Sequence, residues 1–587
     1  MSAIEYDGSA VFGARLTGDG RARFRLWAPD CGAVWLDRDG AGVQPMRALD
    51  DGWFEALVTA EHGARYRYRL GAADGQAVPD IAARAQVGGV HGWSVLVDPA
   101  RYAWRTTQWR GRPWHEAIIE EIHVGLLDGF DGVRARLPAY AAAGITALEL
   151  MPVAEFPGTR NWGYDGVLPF APDAAYGGPD ALKRLIDEAH GLGLMVLLDV
   201  VYNHFGPEGN YLPQYASPFF RADRQTPWGP AIDVTHPVVA EFFIANARYW
   251  LEEFRCDGLR IDAAHAIVDQ PWLERFAARV RSAGAERPVH LVLEHEGNAA
   301  HLLERGFDAQ WDDDWHHAMH VLLTGENTAY YADFAESPLE LLARAWREGF
   351  AWQGEASPFH AGARRGEPSA HLPPTKFVNF LQNHDQIGNR AFGERLSTLV
   401  APEPLHAAQA FLLLSPQIPL LFMGDEYGET RPFQYFTAYQ AKLAAAVREG
   451  RRHEFAAFPE FADANKRARI PDPSDPGTFA ASRPAPPHAP SGTAQRVAQL
   501  IALRRREIVP WLDRPDRRDT RLLGPKALLA CWQRADGRTL YLHLNLDSQA
   551  CAAPALRGEP LYATTPLAAT SLAQGRLAGQ SLVACLH

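Results

Sequence analysis

The sequence predicts an α/β protein built as a (β/α)8 TIM barrel with an N-terminal β-sandwich and a C-terminal β-domain. Two observations carry that expectation. From about Trp104 to residue 520, continuous apolar runs alternate with helical segments, the texture of a parallel sheet covered by helices. On both sides of that stretch the pattern shortens to period-two alternation broken by Asp-Gly turns. The expected bounds are 1–103, 104–520 and 521–587.

The first hundred residues alternate in RARFRLWAP, GWFEALV and ARYRYRL, with turns at Asp19-Gly20, Asp39-Gly40, Asp51-Gly52 and Asp74-Gly75. That spacing suits a small β-sandwich, expected as a carbohydrate-binding-like domain. The middle then reads strand AIIEEIHV, helix GVRARLPAYAAAG, strand ITALELMPV, helix DALKRLIDEAHGLG and strand LMVLLDVVYNH. Helix VVAEFFIANARYWLEEF, strand GLRID, helix PWLERFAARVRSAG and strand VHLVLE follow. FDAQW, KFVNFLQNHD and IPLLFMGDE complete about eight strands, which over some 400 residues fit a (β/α)8 barrel with insertions better than an open sheet. The Pro/Ser-rich IPDPSDPGTFAASRPAPPHAPSG could be a linker. Because the helical TAQRVAQLIALRRREIVPWL follows it, it is expected as a long surface loop of the barrel, with that helix closing the ring. Alternation returns in KALLACWQR and TLYLHLNL across Asp536-Gly537.

Composition narrows the function classes. A net charge of -12 argues against a nucleic-acid partner, which needs a basic face. RARFR and the RRR run at Arg504 are expected as solvated edges. No apolar run reaches the ~20 residues of a membrane span, and MSAIEYDGSAVFGARL lacks the form of a signal peptide. Cys31, Cys256, Cys531, Cys551 and Cys585 are scattered and odd in number, as isolated thiols in a reducing cytoplasm would be.

In a barrel of this kind the active site lies at the C-terminal strand ends. Four runs turn from apolar to polar there: LLDVVYNH (Asp199, Asn203, His204), GLRIDAAH (Arg260, Asp262, His265), LVLEHE (Glu294, Glu296) and FLQNHDQ (Asn383, His384, Asp385). One acid after a strand is usually a helix cap; four such ends suggest catalysis. Glycoside hydrolysis needs one ionised and one protonated carboxyl. Arg260 shares a strand face with Asp262 and favours its anion, the form a nucleophile requires. Glu294 follows an apolar strand, where burial and nearby carboxylates favour the acid form. Asp385 would be a third carboxylate holding sugar hydroxyls, with His204 and His384 as further hydroxyl partners. Glu296 rivals Glu294 by parity but lies past the apolar run, where a solvated loop residue is expected. Asp312, Asp313 and Asp314 are expected as a polar loop rather than a metal site. His265 is either a hydroxyl partner or a satisfied turn residue. No metal-ligand spacing and no Rossmann or P-loop glycine pattern is present, so neither metal nor cofactor is expected.

DVVYNH, GLRIDAAH, the glutamate after VHLVL and NHD resemble, in order and spacing, the four signature regions of the α-amylase family of glycoside hydrolases. The resemblance implies Asp262 as nucleophile, Glu294 as acid/base and Asp385 as transition-state stabiliser. It also implies Asp199, His204, Arg260 and His384 around the attacked sugar, with Tyr164 of NWGYDG as a stacking platform. Glu155, Trp162 and His265 are grouped with these as substrate-binding. The longer runs MPVAEFPGTRNWGYDG, VVYNHFGPEGNYL, TPWGPAIDV and FVNFLQNHDQIGNRAFGERL, from about Phe12 onward, are similar to the maltooligosyltrehalose trehalohydrolase branch of that family. This branch is cytoplasmic, releases trehalose from maltooligosyltrehalose with retention, and works with a synthase that makes the trehalose end.

FQYFTAYQ departs from the branch, which implies an acidic residue and a histidine where Ala438 and Tyr439 stand. HEGNAA after Glu294 is also unusual. The next barrel helix after DVVYNH begins near Pro237, leaving no room for the long insertion of calcium-binding amylases. The competing enzyme reading is a glycogen branching enzyme, which HFGPEGNYL disfavours. A noncatalytic glucan-binding protein is the reading of another class, and the intact Asp262, Glu294 and Asp385 argue against it.

Overall fold

The computed structural model describes residues 12–587 apart from 227–228, 268, 283–286, 457, 459–460, 462, 486–490 and 556–558. The N-terminal run considered for a signal peptide, Trp228 of TPWGPAIDV and the PHAP tract of the Pro/Ser-rich segment therefore lie largely outside the described residues.

Eight parallel strands close a barrel in chain order. They are β1 (Ile119–Ile122), β2 (Ala147–Leu150), β3 (Met195–Val200), β4 (Gly258–Ile261), β5 (His290–Leu293), β6 (Ala309–Trp311), β7 (Phe377–Phe380) and β8 (Ile418–Phe422). Every residue in them is buried, which is why they read as unbroken apolar runs rather than alternating ones. One side of each strand faces helices and the other faces the barrel axis. The axial floor is an apolar plug of Ile119, Ala147, Met195, Leu197, Val292, Ala309, Trp311, Val378, Phe380, Ile418 and Leu420. Since side chains repeat every second residue, the next axial position up each strand is dictated by this floor. It is Glu121 on β1, Glu149 on β2 and Asp199 on β3. The same parity puts Arg260, then Asp262, on β4, Glu294 after β5 and Asp313 after β6. The barrel is thus dry below and charged above.

Around it run α1 (Gly129–Ala143), α2 (Gly178–Gly191), α3 (Pro237–Glu252), α4 (Gln270–Arg281), α5 (Asp313–Thr324), α6 (Pro402–Leu414), α7 (Ala441–Phe455) and α8 (Gly492–Glu507), with shorter helices between. α8 packs on α1 and α6, the place of a ring-closing helix. No helix among the described residues is long and apolar enough to cross a membrane.

The N-terminal unit is two facing antiparallel sheets, one around Arg21–Trp27 and Trp53–Thr59, the other around Val34–Arg38 and Arg65–Leu70. RARFR alternates as expected: Ala22 and Phe24 are fully buried while Arg21 is exposed and paired with Asp19. A five-stranded sheet, including Arg517–Gly524, Ala527–Gln533, Thr539–Asn545 and Ser581–Leu586, forms the C-terminal unit and rests on α6.

The solvated edge expected at RRR is corrected at Arg504, which is completely buried. Its guanidinium donates to the carbonyls of Leu413 (3.2 Å), Ser415 (2.5 Å) and Gln417 (2.6 Å), the unpaired acceptors where α6 ends and β8 begins. Periodicity had placed it correctly on α8, but the exposed neighbours Arg505 and Arg506 masked the one arginine that faces inward. Burial pulls its pKa down to about 9, so only these carbonyls offset the desolvation of the cation.

Arg504→Leu is predicted to destabilise the protein by about 2–4 kcal/mol, because three buried carbonyls lose charged donors while apolar volume is kept. Thermal unfolding of the variant measures this as a lowered Tm, with native activity retained at low temperature.

Candidate active site

A cleft of about 420 Å³ opens where the charged axial layer meets solvent. Trp162, Tyr164, Asp165, His204, Asp262, His265, Glu294, His384 and Asp385 line it, together with Asn389, Tyr435, Arg451 and Glu454. Six of these, with Arg260 and Asp199 beneath, come from the four strand ends singled out in the sequence.

Arg260 ties the layer together. Its side chain is wholly buried and lies over the Trp311 ring at 4.2 Å. Nη1 donates to Asp199 Oδ2 (2.7 Å) and Asp262 Oδ1 (2.9 Å), and Nη2 donates to Glu294 Oε2 (2.6 Å). Register explains the geometry: Arg260 on β4 sits directly beside Asp199 on β3, and Asp262 is its next axial neighbour. Asp262 is held from its other side by Asn203 Nδ2, which donates to Oδ2 at 2.9 Å. Both carboxylate oxygens of the expected nucleophile are therefore fixed by donors.

Ala263 then takes a left-handed backbone conformation, φ +39°, at a cost of about 1–2 kcal/mol for a residue with a β-carbon. The turn aims its N–H at Glu294 Oε2 (2.9 Å). Here the expectation of an apolar setting for Glu294 is corrected. Its side chain is 20% exposed and lines the cleft, and among the described residues its hydrogen bonds, from Arg260 and Ala263, both fall on Oε2.

The acid chemistry belongs to the cluster rather than to one carboxyl. Burial pushes Asp199 up to about 7 despite Arg260. Burial, then Glu294, pushes Asp313 up to about 8. Burial also raises Asp385, with Glu294 adding to the shift and His384 opposing it. Glu149, whose two carboxylate oxygens have no hydrogen-bond partner among the described residues, is driven well up by burial and by Glu121. Burial thus biases several carboxyls around the cleft toward the acid form.

Tyr164 forms one wall. Gly163 precedes it at φ +111°, and a β-carbon there would lie 2.2 Å from the Pro152 carbonyl oxygen, so only glycine makes this turn. Tyr164 Oη donates to Asp199 Oδ2 (2.6 Å), and its ring stacks on His384 with centroids 5.1 Å apart. Trp162 abuts His384 edge-on and donates its indole N–H to Gln434 O (3.0 Å). His204 Nε2 donates to Tyr164 O (2.9 Å), and burial pushes its pKa down.

Asn383 caps the short helix carrying His384 and Asp385. His384 lies between two acids: Nδ1 donates to Glu121 Oε1 at 2.5 Å, and Nε2 is 3.3 Å from Asp385 Oδ2. Together these hold its pKa at about 9 against burial.

Not every expected residue reaches the cleft. Glu155 is buried in the hairpin of Ala154–Glu155 with Leu168–Pro172, where its Oε2 accepts from Ala174 N–H (2.9 Å). Burial pushes its carboxyl up to about 7. This corrects its grouping as substrate-binding: unlike the neighbouring Trp162 and Tyr164, it is turned into the shell by the hairpin. Glu296 is half-exposed at the rim, near His265 (3.7 Å) and His360 (3.3 Å), as a loop residue. His265 lines the cleft and accepts Glu296 N–H at 3.4 Å.

The polar loop expected at Asp312–Asp314 is also corrected. Asp312 caps α5, and Asp314 is fully buried against Arg365 (2.7 Å) and the N–H groups of Ala351 and Trp352. Glu121 and Glu149 were missed altogether. Their signal was present in IEEI and ALEL: a carboxyl inside a strand buried on both faces, in step with Ile119 and Ala147, has to point along the axis.

The segment of Phe433 to Gln440 reaches the cleft through Tyr435, while Tyr439 is buried and bonded to Asp165. Ala438 lies against Gly158, where even a β-carbon on the glycine would come within 2.7 Å. The Pro/Ser-rich loop backs this segment: Thr437 N–H donates to Pro473 O and Gln434 N–H to Ser482 Oγ.

Residues 123–228 match the family of alpha amylase catalytic domains, and residues 515–584 match a domain family of unknown function, DUF3459. Malto-oligosyltrehalose trehalohydrolase of Saccharolobus solfataricus is 40% identical over 458 residues, 76% of this chain and 80% of that protein. The protein of the same name from Rhizobium sp. strain M-11 is 40% identical over 519 residues, 83% of this chain and 85% of that one. A crystal structure assigned as an alpha amylase from Salmonella typhimurium superposes with a TM-score of 0.92 at 42% identity, over 98% of this chain and 99% of that one.

Because burial raises the pKa of Glu155 and of Asp173 coupled with it, the stability this pair contributes is complete below the unfolded carboxylate values of about 4 and lost as pH rises through the raised folded values. Glu155→Gln keeps an acceptor for Ala174 and removes one of the two coupled titrations, leaving that of Asp173. Its Tm is predicted to fall less than the parent's between pH 5 and 8, with activity retained; Tm measured across that range checks this.

Proposed function

We propose that this chain, which belongs to the malto-oligosyltrehalose trehalohydrolase family, uses the cleft to hydrolyse the α-1,4 bond next to the terminal trehalose of maltooligosyltrehalose. The observation that carries the catalytic reading is Arg260 spanning Asp262 and Glu294. Two carboxylates held on the two terminal nitrogens of one guanidinium are brought close together, and a short separation suits retention rather than inversion.

Asp262, pinned by Arg260 and Asn203, is the nucleophile: it attacks the anomeric carbon and forms a glycosyl–enzyme. Glu294 gives its proton to the departing oxygen of trehalose through Oε1, then takes a proton from the water that attacks from the vacated side. Asp385 and His384 bind hydroxyls of the sugar as it flattens toward an oxocarbenium ion, and Tyr164 supports its face. Asp199 and Arg260 form the floor. No step calls for a cofactor. The substrate requires a supplier: a synthase that turns the reducing end of a maltooligosaccharide into trehalose is the functional partner. Five unpaired cysteines support a reducing, cytoplasmic setting.

Incubation with maltooligosyltrehalose is predicted to release trehalose, and the new glucan reducing end to appear first as the α-anomer by NMR. Transfer products with α-1,6 branches from amylose would instead assign the chain to a branching activity. Asp262→Asn should lower turnover by at least about 10⁴-fold while substrate binding persists; near-parental activity would remove Asp262 from the mechanism.

A further inference from the structure

We propose that Glu121 is a positioning residue for this reaction, acting through His384 to keep a positively charged imidazole against Asp385 and the bound sugar. The inference rests on the glycosidase reading above and adds a residue that does not itself line the cleft. Glu121 is fully buried on β1 and grips His384 twice. Oε1 accepts from the ring Nδ1 (2.5 Å) and Oε2 from the backbone N–H (3.1 Å). A two-point grip fixes the ring orientation and keeps Nδ1 protonated, so that Nε2 faces Asp385 (3.3 Å) and carries a hydrogen toward it only in the charged imidazolium. The ring cannot tilt away, because Tyr164 stacks on it and Trp162 meets it edge-on.

The charged groups around His384 come from every neighbouring strand. Glu121 and, just beyond it, His123 belong to the β1 side, Glu149 to β2, Asp199 to β3 and Arg260 to β4, with Asp385 following in its own segment. His123 is pushed down to about 4 by burial and is uncharged, while Glu149 and Asp199 are both raised. Arg260 opposes a second cation. Asp385 and Glu121 together offset burial and Arg260, and Glu121 is the one that does so through a hydrogen bond to the ring. Losing its charge therefore lowers the pH at which His384 gives up its proton.

The test is the pH dependence of kcat/KM for an α-maltotriosyl fluoride with the full-length chain. Fluoride leaves without a proton, so the alkaline limb does not report Glu294 as the acid. The parent is expected to hold its rate until about pH 9, and His384→Gln to lose that limb. Glu121→Gln is expected to move the limb down by about 1–2 pH units, and Glu121→Asp to place it in between. A limb unmoved in Glu121→Gln, with the rate either unchanged or scaled equally at all pH values, overturns the proposal. If Glu121→Gln does not fold, Glu121→Asp decides alone, and an unmoved limb there overturns it. Asp262→Asn is measured in parallel: fluoride hydrolysis surviving that change would sink the glycosidase reading rather than the role of Glu121.

Discussion

One buried guanidinium sets the terms for everything above the barrel floor. Arg260 has no route to solvent, so its charge is tolerated only where carboxylates meet it with good geometry. The barrel supplies three, from β3, from the end of its own strand and from the end of β5. Removing one partner from such a set typically costs about 3–5 kcal/mol, because the others are left with uncompensated charge in a dry site. The arrangement is therefore stiff, and a stiff pair of carboxylates at fixed separation is what displacement at an anomeric carbon requires.

Burial sets the protonation of the same layer. Asp199, Asp313, Asp385 and Glu149 are all pushed toward the acid form, while His384 is held as a cation. A sugar entering the cleft meets a fixed pattern of donors and acceptors rather than mobile water. Glu294 is partly exposed and accepts two hydrogen bonds on one oxygen, beside these raised carboxyls.

Much of this was legible in the sequence. All eight barrel strands lie within the apolar runs, and the four polar strand ends converge on one cleft, because parity and the closed ring leave a residue past an axial apolar position nowhere else to point. What was not legible depended on burial that local pattern does not encode. Glu121 and Glu149 sit in mid-strand, where a single acid looks like noise. Arg504 was hidden among exposed arginines, although the α6 terminus it caps needed a donor. Glu155 lies one hairpin away from Trp162 and Tyr164, a distinction set by tertiary pairing. Asp314 acquires its meaning only from Arg365, far away in the chain.

The most direct test of the account is the kcat/KM of Arg260→Lys for trehalose release, measured beside its unfolding temperature. Lysine keeps the charge but is a single point, unable to span three carboxylates from two nitrogens. The account predicts a loss on the order of 10²–10³-fold with the fold retained. A variant within a few-fold of the parent would contradict it, because the carboxylates would then be held without the fork of Arg260.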